Sequence, residues 1–386
     1  MIIQNLNEYI QEAEQLAKEV FEEIHSWPEL GNEEFKTVTL IGRKLKEMKL
    51  EISRPLATAV TADIKGKGNP QKCIALRADI DALPIAEEAM VSYRSRRAGL
   101  MHACGHDAHT AILVGLAQVL HRLKNVLPCD VRLIFQPDEE GKGGADRLIE
   151  TGVLKGVDQI FSFHVKPDLM AGTIGVQYGT VHGESRMLEV RIKGTPAHGA
   201  KPDLGRDAVY GAAQFISLCQ GIVSRDLDPV KAGLISFGRI RGGEAGNILA
   251  GQVELEGIIR GEDGEVCDRL CQRIRILARG LSQAMGLSID VKFTQGYRAL
   301  INDRRSAEQV KLAAGDKAVE INRKSMTVDD FSSYLQLVPG AYFFLGCGFA
   351  DRENSGLHTS RFQINEKCLA TGIETLAQIC MKTQYR

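Results

Sequence analysis

The sequence lacks any apolar run long enough to cross a membrane. No window reaches the roughly 18 apolar residues that a spanning helix needs, and the charged residues 1–20 do not fit a secretory signal peptide. The 48 Lys and Arg residues are balanced by 49 Asp and Glu residues. This balance leaves no basic surface typical of binding to nucleic acid or to an anionic membrane. We therefore expect a cytoplasmic protein that binds neither nucleic acid nor membranes.

The sequence also lacks the cysteine pattern of a disulfide framework. Its nine cysteines are odd in number and scattered, and most lie in apolar runs, as Cys73 and Cys347 do. They are expected to be buried small side chains in a reducing compartment. Cys267 and Cys271 are four residues apart in a helical pattern, which is not the spacing of a metal knuckle. The absence of G-x-G-x-x-G between a strand and a helix disfavours a nicotinamide dehydrogenase.

The order of the predicted elements indicates two domains, as the length of 386 residues also suggests. Residues 1–182 and 297–386 alternate strands with helices, which is typical of an α/β fold with helices on both faces of a mostly parallel sheet. Residues 183–296 follow the order β-α-β-β-α-β of a ferredoxin-like α+β unit. We therefore predict an α/β domain that is interrupted by an inserted α+β domain.

A cluster of metal-binding residue types lies between Met101 and His109. Three histidines and a thiol fall within eight residues, and Cys and His side chains bind borderline-soft metals. Gly105 would let the backbone turn so that Cys104 and His106 face one point. Asp107 would serve as the N-cap of the following helix. A different interpretation makes Cys104 a nucleophile paired with a nearby histidine.

Three consecutive carboxylates, Asp138, Glu139 and Glu140, follow another apolar strand. Neighbouring carboxylates repel one another and must be neutralised or solvated. Taken alone, this segment would be an ordinary acidic surface turn. Beside a metal site, one carboxylate would bind the cation, and another would act as a general base near the attacking water.

Two further histidines complete a possible ligand set. His164 ends the apolar strand Ile-Phe-Ser-Phe, and His358 lies in a polar loop after a strongly apolar strand. Each is weak evidence alone, since a histidine in such a place is more often a core residue. Together with Cys104, His106 and Glu140 they supply five N, S and O ligands, enough for two divalent ions that share a bridge.

Asp79 and Asp81 close a further strand. Alternate residues of a strand point to one face, so both carboxylates can face the same way. They would fit positions that orient the ring N–H groups of metal-binding histidines. For Asp79, simple capping of the strand end remains equally open.

Six segments carry a resemblance to a known family: LRADIDALP, MHACGHDAHTAIL, FQPDEEG, FSFHV, GGEAGNIL and LHTS. In the same order, they resemble segments of the metal-dependent aminoacylases and amidohydrolases. That family includes hippurate hydrolase, auxin-conjugate hydrolases and bacterial N-acyl-amino-acid amidohydrolases, and it is distantly related to the glutamate carboxypeptidases. The resemblance implies a dinuclear metal site in the α/β domain and an inserted lid domain through which the protein forms a homodimer. It also implies hydrolysis of the amide bond of small N-acyl amino acids, with dipeptidase or carboxypeptidase action on small peptides as the alternative.

The resemblance also implies roles for individual residues. The implied metal ligands are Cys104, His106, Glu140, His164 and His358. Glu139 would be the general base. In the inserted domain, His198 would stabilise the oxyanion, while Asn247 and Arg260 would contact the substrate. The two ions per subunit would be zinc, manganese, nickel or cobalt, and the soft ligand Cys104 disfavours magnesium.

The sequence departs from the family pattern at a few positions. Asp138 stands where members typically have Ala, Asp203 where they have His, and Leu249 and Ala250 where they have Pro and Asp. Thr359 and Ser360 follow His358, where a Pro is common. Asp79 falls where distant relatives place a metal-binding His. None of these departures removes a ligand or the base, so we expect them to affect the substrate and not the reaction.

Overall fold

The computed structural model describes residues 2–382. Its α-helices are α1 (Ile2–Ser26), α2 (Phe35–Glu47), α3 (His106–Leu123), α4 (Ala145–Glu150), α5 (Ala208–Arg225), α6 (Gly264–Met285), α7 (Arg304–Ala314), α8 (Phe331–Leu335) and α9 (Lys367–Met381). Its strands are β1 (Glu51–Ser53), β2 (Val60–Ile64), β3 (Cys73–Asp79), β4 (Asp130–Gln136), β5 (Gln159–Met170), β6 (Ile174–Val176), β7 (Gly179–His182), β8 (Glu184–Lys193), β9 (Gly233–Gly242), β10 (Gln252–Gly261), β11 (Ser288–Gln295), β12 (Leu300–Asn302), β13 (Ala318–Glu320) and β14 (Gly340–Gly348).

The chain divides into two compact units. The first unit comprises Met1–Gly179, Ile301–Asn322 and Ser333–Arg386, and the second comprises Thr180–Leu300 and Arg323–Ser332. Met1 and residues 383–386, which belong to the predicted α/β domain, lie outside the described residues.

Residues 323–332 belong to the second unit, although the sequence pattern assigned them to the α/β domain. This assignment is explained by contacts of residues 323–332 with segments of the second unit that are distant in the sequence. Lys324 Nζ lies 2.7 Å from Glu262 Oε2, and the N–H of Gly183 donates to the carbonyl of Ser325 at 2.9 Å. Such long-range pairings leave no periodic signal in the sequence.

The first unit is built on an eight-stranded sheet with the order β1-β2-β4-β3-β5-β14-β6-β13. The central strands β4, β3, β5 and β14 are parallel, while β1 and β2 pair antiparallel with their neighbours. Strand β6 pairs antiparallel with β14 and parallel with β13. The central strands are almost continuously buried, as expected for a parallel sheet covered on both faces. Because the carboxyl ends of parallel strands meet at one edge, the residues that end β3 and β4 lie close together there.

Helices α1, α3 and α9 pack against one another beside this sheet. Helix α3 is almost entirely buried and begins at His106. The sequence correctly indicates this helix, but its N-cap is Gly105 and not Asp107. Gly105 adopts a φ of +84°, the N-cap lies two residues earlier than predicted, and Asp107 falls in the first turn of the helix.

The second unit holds a four-stranded antiparallel sheet with the order β11-β8-β10-β9. Along β8, Leu188, Val190 and Ile192 are buried while Arg191 and Lys193 are exposed, which is the alternation of a sheet with one covered face. Helices α5 and α6 pack against this sheet.

The chain order β8-α5-β9-β10-α6-β11 is the predicted ferredoxin-like order. The predicted fold class, an α/β domain with an inserted α+β unit, is therefore confirmed. Among residues 2–382, no helix combines the length and the apolar character that a membrane span requires.

Candidate metal centre

The centre forms in the first unit, where the loop before α3 meets the edge of the sheet. Gly105 turns the chain between Cys104 and His106, and a Cβ at this glycine would collide with Val165. The Sγ of Cys104 lies 3.2 Å from Nε2 of His164. The same Sγ also lies 3.2 Å from Nε2 of His358. The backbone N–H of His358 donates to the carbonyl of Ala103 at 2.8 Å. Local geometry at one glycine thus brings residues from three distant segments together.

The five residues expected as ligands converge, and Glu139 lies with them. Three groups made up only of these six residues have possible ligand atoms within 4.8 Å of one another: Cys104 with His106 and His164, Cys104 with Glu140 and His358, and His106 with Glu139 and Glu140. Oε1 of Glu140 lies 2.9 Å from Nε2 of His358. Cys104, His106 and Glu140 each belong to two of these groups. The Cys104 thiol lies 3.2 Å from both His164 and His358, so it is placed to serve two ions.

His106 provides the test of whether this cluster fits a metal. Its Nδ1 donates to Oδ1 and to the carbonyl of Asp81, both at 3.0 Å. Its Nε2 is fully buried and has no hydrogen-bond partner among residues 2–382, an arrangement that costs free energy unless a ligand completes it. Oδ2 of Asp81 accepts a hydrogen bond from the backbone N–H of Glu140 at 2.9 Å. Asp81 therefore orients both His106 and Glu140.

The charges around the cluster also favour a cation. Burial lowers the pKa of His106, but the neighbouring Asp79 and Cys104 outweigh burial and raise that pKa well above its ordinary value. Burial raises the pKa of Glu140, yet His358 and His106 together lower it to about 2. The donor set of one thiol, three imidazoles and a carboxylate suits borderline-soft divalent ions. The residues therefore fit the two metal ions that the sequence predicts.

Asp79 lies beneath the cluster and does more than end a strand. It is completely buried, and it accepts hydrogen bonds from Nη1 of Arg77 and Nδ1 of His109, each at 2.5 Å. Nε2 of His109 accepts the N–H of Val165 at 3.0 Å, which links α3 to β5. Oδ1 of Asp79 lies 3.8 Å from Nε2 of His106. Burial raises the pKa of Asp79, but the charges of His106, Arg77 and His109 hold it well below its usual value.

Sequence reasoning missed Arg77 and His25. Arg77 is only 1% exposed, and its Nε donates to Oε1 of Gln136 at 2.9 Å. A charged residue within an apolar strand requires a buried partner. The arginine inside the apolar strand Cys73–Asp79 could therefore have been recognised from the sequence.

His25 joins two buried carboxylates. Its Nδ1 lies 2.6 Å from Oδ2 of Asp107, and its Nε2 lies 3.0 Å from Oε1 of Glu87. Asp107 therefore anchors the start of α3 to α1, which is a different role from the predicted N-cap. No local pattern identifies a pairing between residues 82 positions apart.

His198, Asn247 and Arg260 belong to the second unit. Nδ1 of His198 accepts the N–H of Ala200 at 3.0 Å, and the N–H of Gly199 donates to the carbonyl of Asn247 at 2.7 Å. His198 and Asn247 thus lie on neighbouring segments. Arg260 lies in β10, and its Nη1 is buried without a hydrogen-bond partner in the described part of the chain. Burial lowers the pKa of Arg260.

The departures from the family pattern lie in different surroundings. Asp138 is buried and pairs with Arg147, while Asp203 lies in an exposed turn of 3₁₀ helix. Ala250 is buried in the core of the second unit. Ser360 donates to Glu88 at the surface.

Comparison with known proteins places the chain in a family. The model of peptidase family M20/M25/M40 matches residues 75–382. N-acetyl-L-cysteine deacetylase of Bacillus subtilis (strain 168) is 40% identical over 332 residues, which cover 84% of this chain and 78% of that protein. Thermostable carboxypeptidase 1 of Saccharolobus solfataricus is 32% identical, covering 99% of this chain and 98% of that protein.

A solved structure agrees with these relatives. It is a Bacillus subtilis protein described as a dinuclear metal binding peptidase from the M20 family. It has a TM-score of 0.85 and 32% identity, and the match covers 96% of this chain and 98% of that one. The chain belongs to peptidase family M20/M25/M40 and is a metal-dependent amidohydrolase.

Proposed function

We propose that this protein hydrolyses the amide bond of small N-acyl amino acids at a centre that binds two divalent cations. The observation that carries the proposal is the position of the Cys104 thiol, 3.2 Å from each of two histidines and beside two adjacent carboxylates. The similarity to N-acetyl-L-cysteine deacetylase supports an N-acyl amino acid as the substrate class.

Cys104 is the ligand that we assign to both ions. It would share one ion with His106 and His164 and the other with Glu140 and His358, because the ligand atoms of each of these two groups lie within 4.8 Å of one another. The sulfur and imidazole donors favour zinc, nickel or cobalt over magnesium, with manganese as a further candidate.

Glu139 is the residue that we assign as general base. When bound, the two cations would polarise the amide carbonyl and lower the pKa of a water from about 15.7 towards neutrality. Glu139 then accepts the proton of the attacking water and returns it to the leaving amine. Asp81 supports this chemistry by holding the ring of His106 and the N–H of Glu140.

We assign to the second unit the roles that the family resemblance implies. His198 would donate to the developing oxyanion, and Asn247 and Arg260 would contact the substrate. The buried Nη1 of Arg260, unpartnered among the described residues, suits a carboxylate of the substrate. The same unit would act as a lid and form the interface of a homodimer.

Carboxypeptidase action on small peptides is the second candidate, because a relative with this name matches almost the whole chain. A cysteine nucleophile is disfavoured. Burial raises the pKa of the Cys104 thiol well above its ordinary value, so without a cation the reactive thiolate is rare.

The test is a hydrolysis panel with metal-free protein reconstituted with each of the four metals. The panel contains N-acetyl, N-benzoyl and indole-acyl amino acids together with dipeptides. We expect N-acyl amino acids to be cleaved faster than dipeptides, and activity to disappear on chelation and return with added metal. Activity that survives complete removal of metal would contradict the proposal, and faster cleavage of the dipeptides would favour the second candidate.

A further inference from the structure

Asp138 has an unusual backbone immediately before the two carboxylates of the centre. Its φ is +58°, a region that few residues other than glycine adopt and in which Asp and Asn are the main exceptions. Its side chain is only 4% exposed, although it directly precedes the turn 139–142 that carries two carboxylates of the centre. The chain therefore holds a buried charge where an unstrained, uncharged residue would be the simpler choice.

The carboxylate of Asp138 is held by an arginine from α4. Nη2 of Arg147 donates to Oδ2 of Asp138 at 3.1 Å, and Nη1 of the same arginine donates to Oδ1 of Asn32 at 2.6 Å. Arg147 thus connects the segment before α2 to the turn after β4. The two side chains of this ion pair differ in burial, since the arginine side chain is 42% exposed while that of Asp138 is buried.

The main chain of Asp138 is held as well. Its N–H donates to Oε1 of the buried Glu34 at 2.9 Å, and its carbonyl accepts the N–H of Gly143 at 3.1 Å. Oδ1 occupies a space next to Gly31 and Gly141, and a Cβ at either glycine would overlap it. The residue is therefore restrained on several sides.

We propose that Asp138 is a positioning residue that fixes the direction in which Glu139 and Glu140 leave β4. The inference rests on the proposed function, in which Glu139 is the general base and Glu140 a metal ligand. Without the restraint of Arg147 and Glu34, the two carboxylates could shift together. A misplacement of about 1 Å at such a site costs roughly a hundredfold in rate.

The decisive variant is Asp138→Asn, which keeps the side-chain size and the tolerance for positive φ but removes the charge. The matched control is Asp63→Asn, which breaks a similar pair between Asp63 and Arg132 on strands β2 and β4 of the same sheet. For each protein we would measure the thermal midpoint, the zinc affinity of the metal-free form by competition with a chromophoric chelator, and kcat and KM.

We expect Asp138→Asn to weaken zinc binding and to lower kcat, each by roughly 10- to 100-fold, as when other groups that support metal ligands are lost. KM should stay within about twofold, since we place no substrate contact on Asp138. This departure from the family pattern would therefore act on the reaction and not, as the sequence suggested, on the substrate. Asp63→Asn should lower only the thermal midpoint. If Asp138→Asn behaves like Asp63→Asn, with zinc affinity and kcat unchanged, the proposal is wrong.

A second variant keeps the proposal testable if Asp138→Asn does not fold. Arg147→Gln alters a partly exposed side chain and leaves the strained residue in place. We expect it to reproduce the loss of zinc affinity, and the double variant to lose no more than the worse single variant. Additive losses would contradict a shared role. If the wild type bound zinc but cleaved no N-acyl amino acid, the proposed function would fail, while the zinc affinities would still decide the role of Asp138.

Discussion

The thiol of Cys104 lies 3.2 Å from Nε2 of His164, although the two residues are 60 positions apart in the chain. The loop that precedes the helix beginning at His106 meets the strand β5 at this contact. A third segment adds His358 at the same distance from the thiol. This convergence is the basis of the predictions that follow.

Replacement of Cys104 should affect both metal ions, because the thiol lies 3.2 Å from both His164 and His358, which we assign to different ions. We expect Cys104→Ala to bind fewer than two zinc ions per chain at micromolar free zinc, while the wild type binds two. Elemental analysis after equilibrium dialysis measures this. Cys219→Ala, which removes a buried thiol from the core of the second unit, is the control and should keep two ions. A full complement of zinc in Cys104→Ala would rule out this cysteine as a shared ligand.

Glu139→Gln should separate metal binding from catalysis. The amide cannot accept a proton from water, so we expect kcat to fall by roughly 10²- to 10⁴-fold, the usual contribution of a general base. Zinc content should remain at two ions per chain. Steady-state kinetics with elemental analysis of the same sample tests both expectations. Substantial turnover by the variant would exclude Glu139 as the base.

His25 should make stability depend on pH. Burial lowers the pKa of His25, but hydrogen bonds and charges from Asp107 and Glu87 outweigh burial and raise it to about 9. Because the folded pKa exceeds the unfolded value of 6.5, the stabilisation is complete below pH 6.5 and is lost as the pH rises through about 9. The difference corresponds to about 3 kcal/mol at most.

Urea unfolding of the wild type and of His25→Gln at several pH values between 6 and 9.5 measures this contribution. We expect the variant to be less stable than the wild type at pH 6 and the two to converge at high pH. His198→Gln, which replaces an exposed histidine of the second unit, is the control and should follow the wild-type profile. A constant difference between wild type and His25→Gln across this range would show that His25 does not titrate as described.

Arg77→Met should destabilise the first unit strongly. The change leaves the buried carboxylate of Asp79 without the guanidinium that lies 2.5 Å away, and breaking a buried pair typically costs 3–5 kcal/mol. Arg77→Lys should recover little, because lysine cannot reproduce the paired contacts to Asp79 and Gln136.

The free energy of unfolding from urea titration is the measurement for these variants. Arg43→Met, which breaks the exposed pair with Glu23, is the control and should change this free energy by less than about 1 kcal/mol. An equally small change for Arg77→Met would contradict the importance of the buried network.

Local sequence patterns predict much of this centre. Cys104 and His106 stand out because two soft donors flank a glycine, and the φ of +84° at Gly105 agrees with that interpretation. The run of carboxylates after β4 and the apolar strands before His164 and His358 also place those residues at the edge of a sheet.

Long-range pairing accounts for what the sequence could not show. Asp107 stands where an N-cap is common, but its carboxylate is taken by His25, 82 positions away. In the same way, Arg147 holds Asp138 through a contact that depends on how α4 packs. Neither pairing follows from periodicity or from the spacing of neighbouring residues.

Anomalous diffraction at the zinc edge, from crystals of the zinc-loaded protein, tests the arrangement of the centre most directly. We predict two peaks about 3.5–4 Å apart, with Cys104 adjacent to both and with Glu139 directly bonded to neither. One peak, or two peaks that Cys104 does not join, would contradict the account.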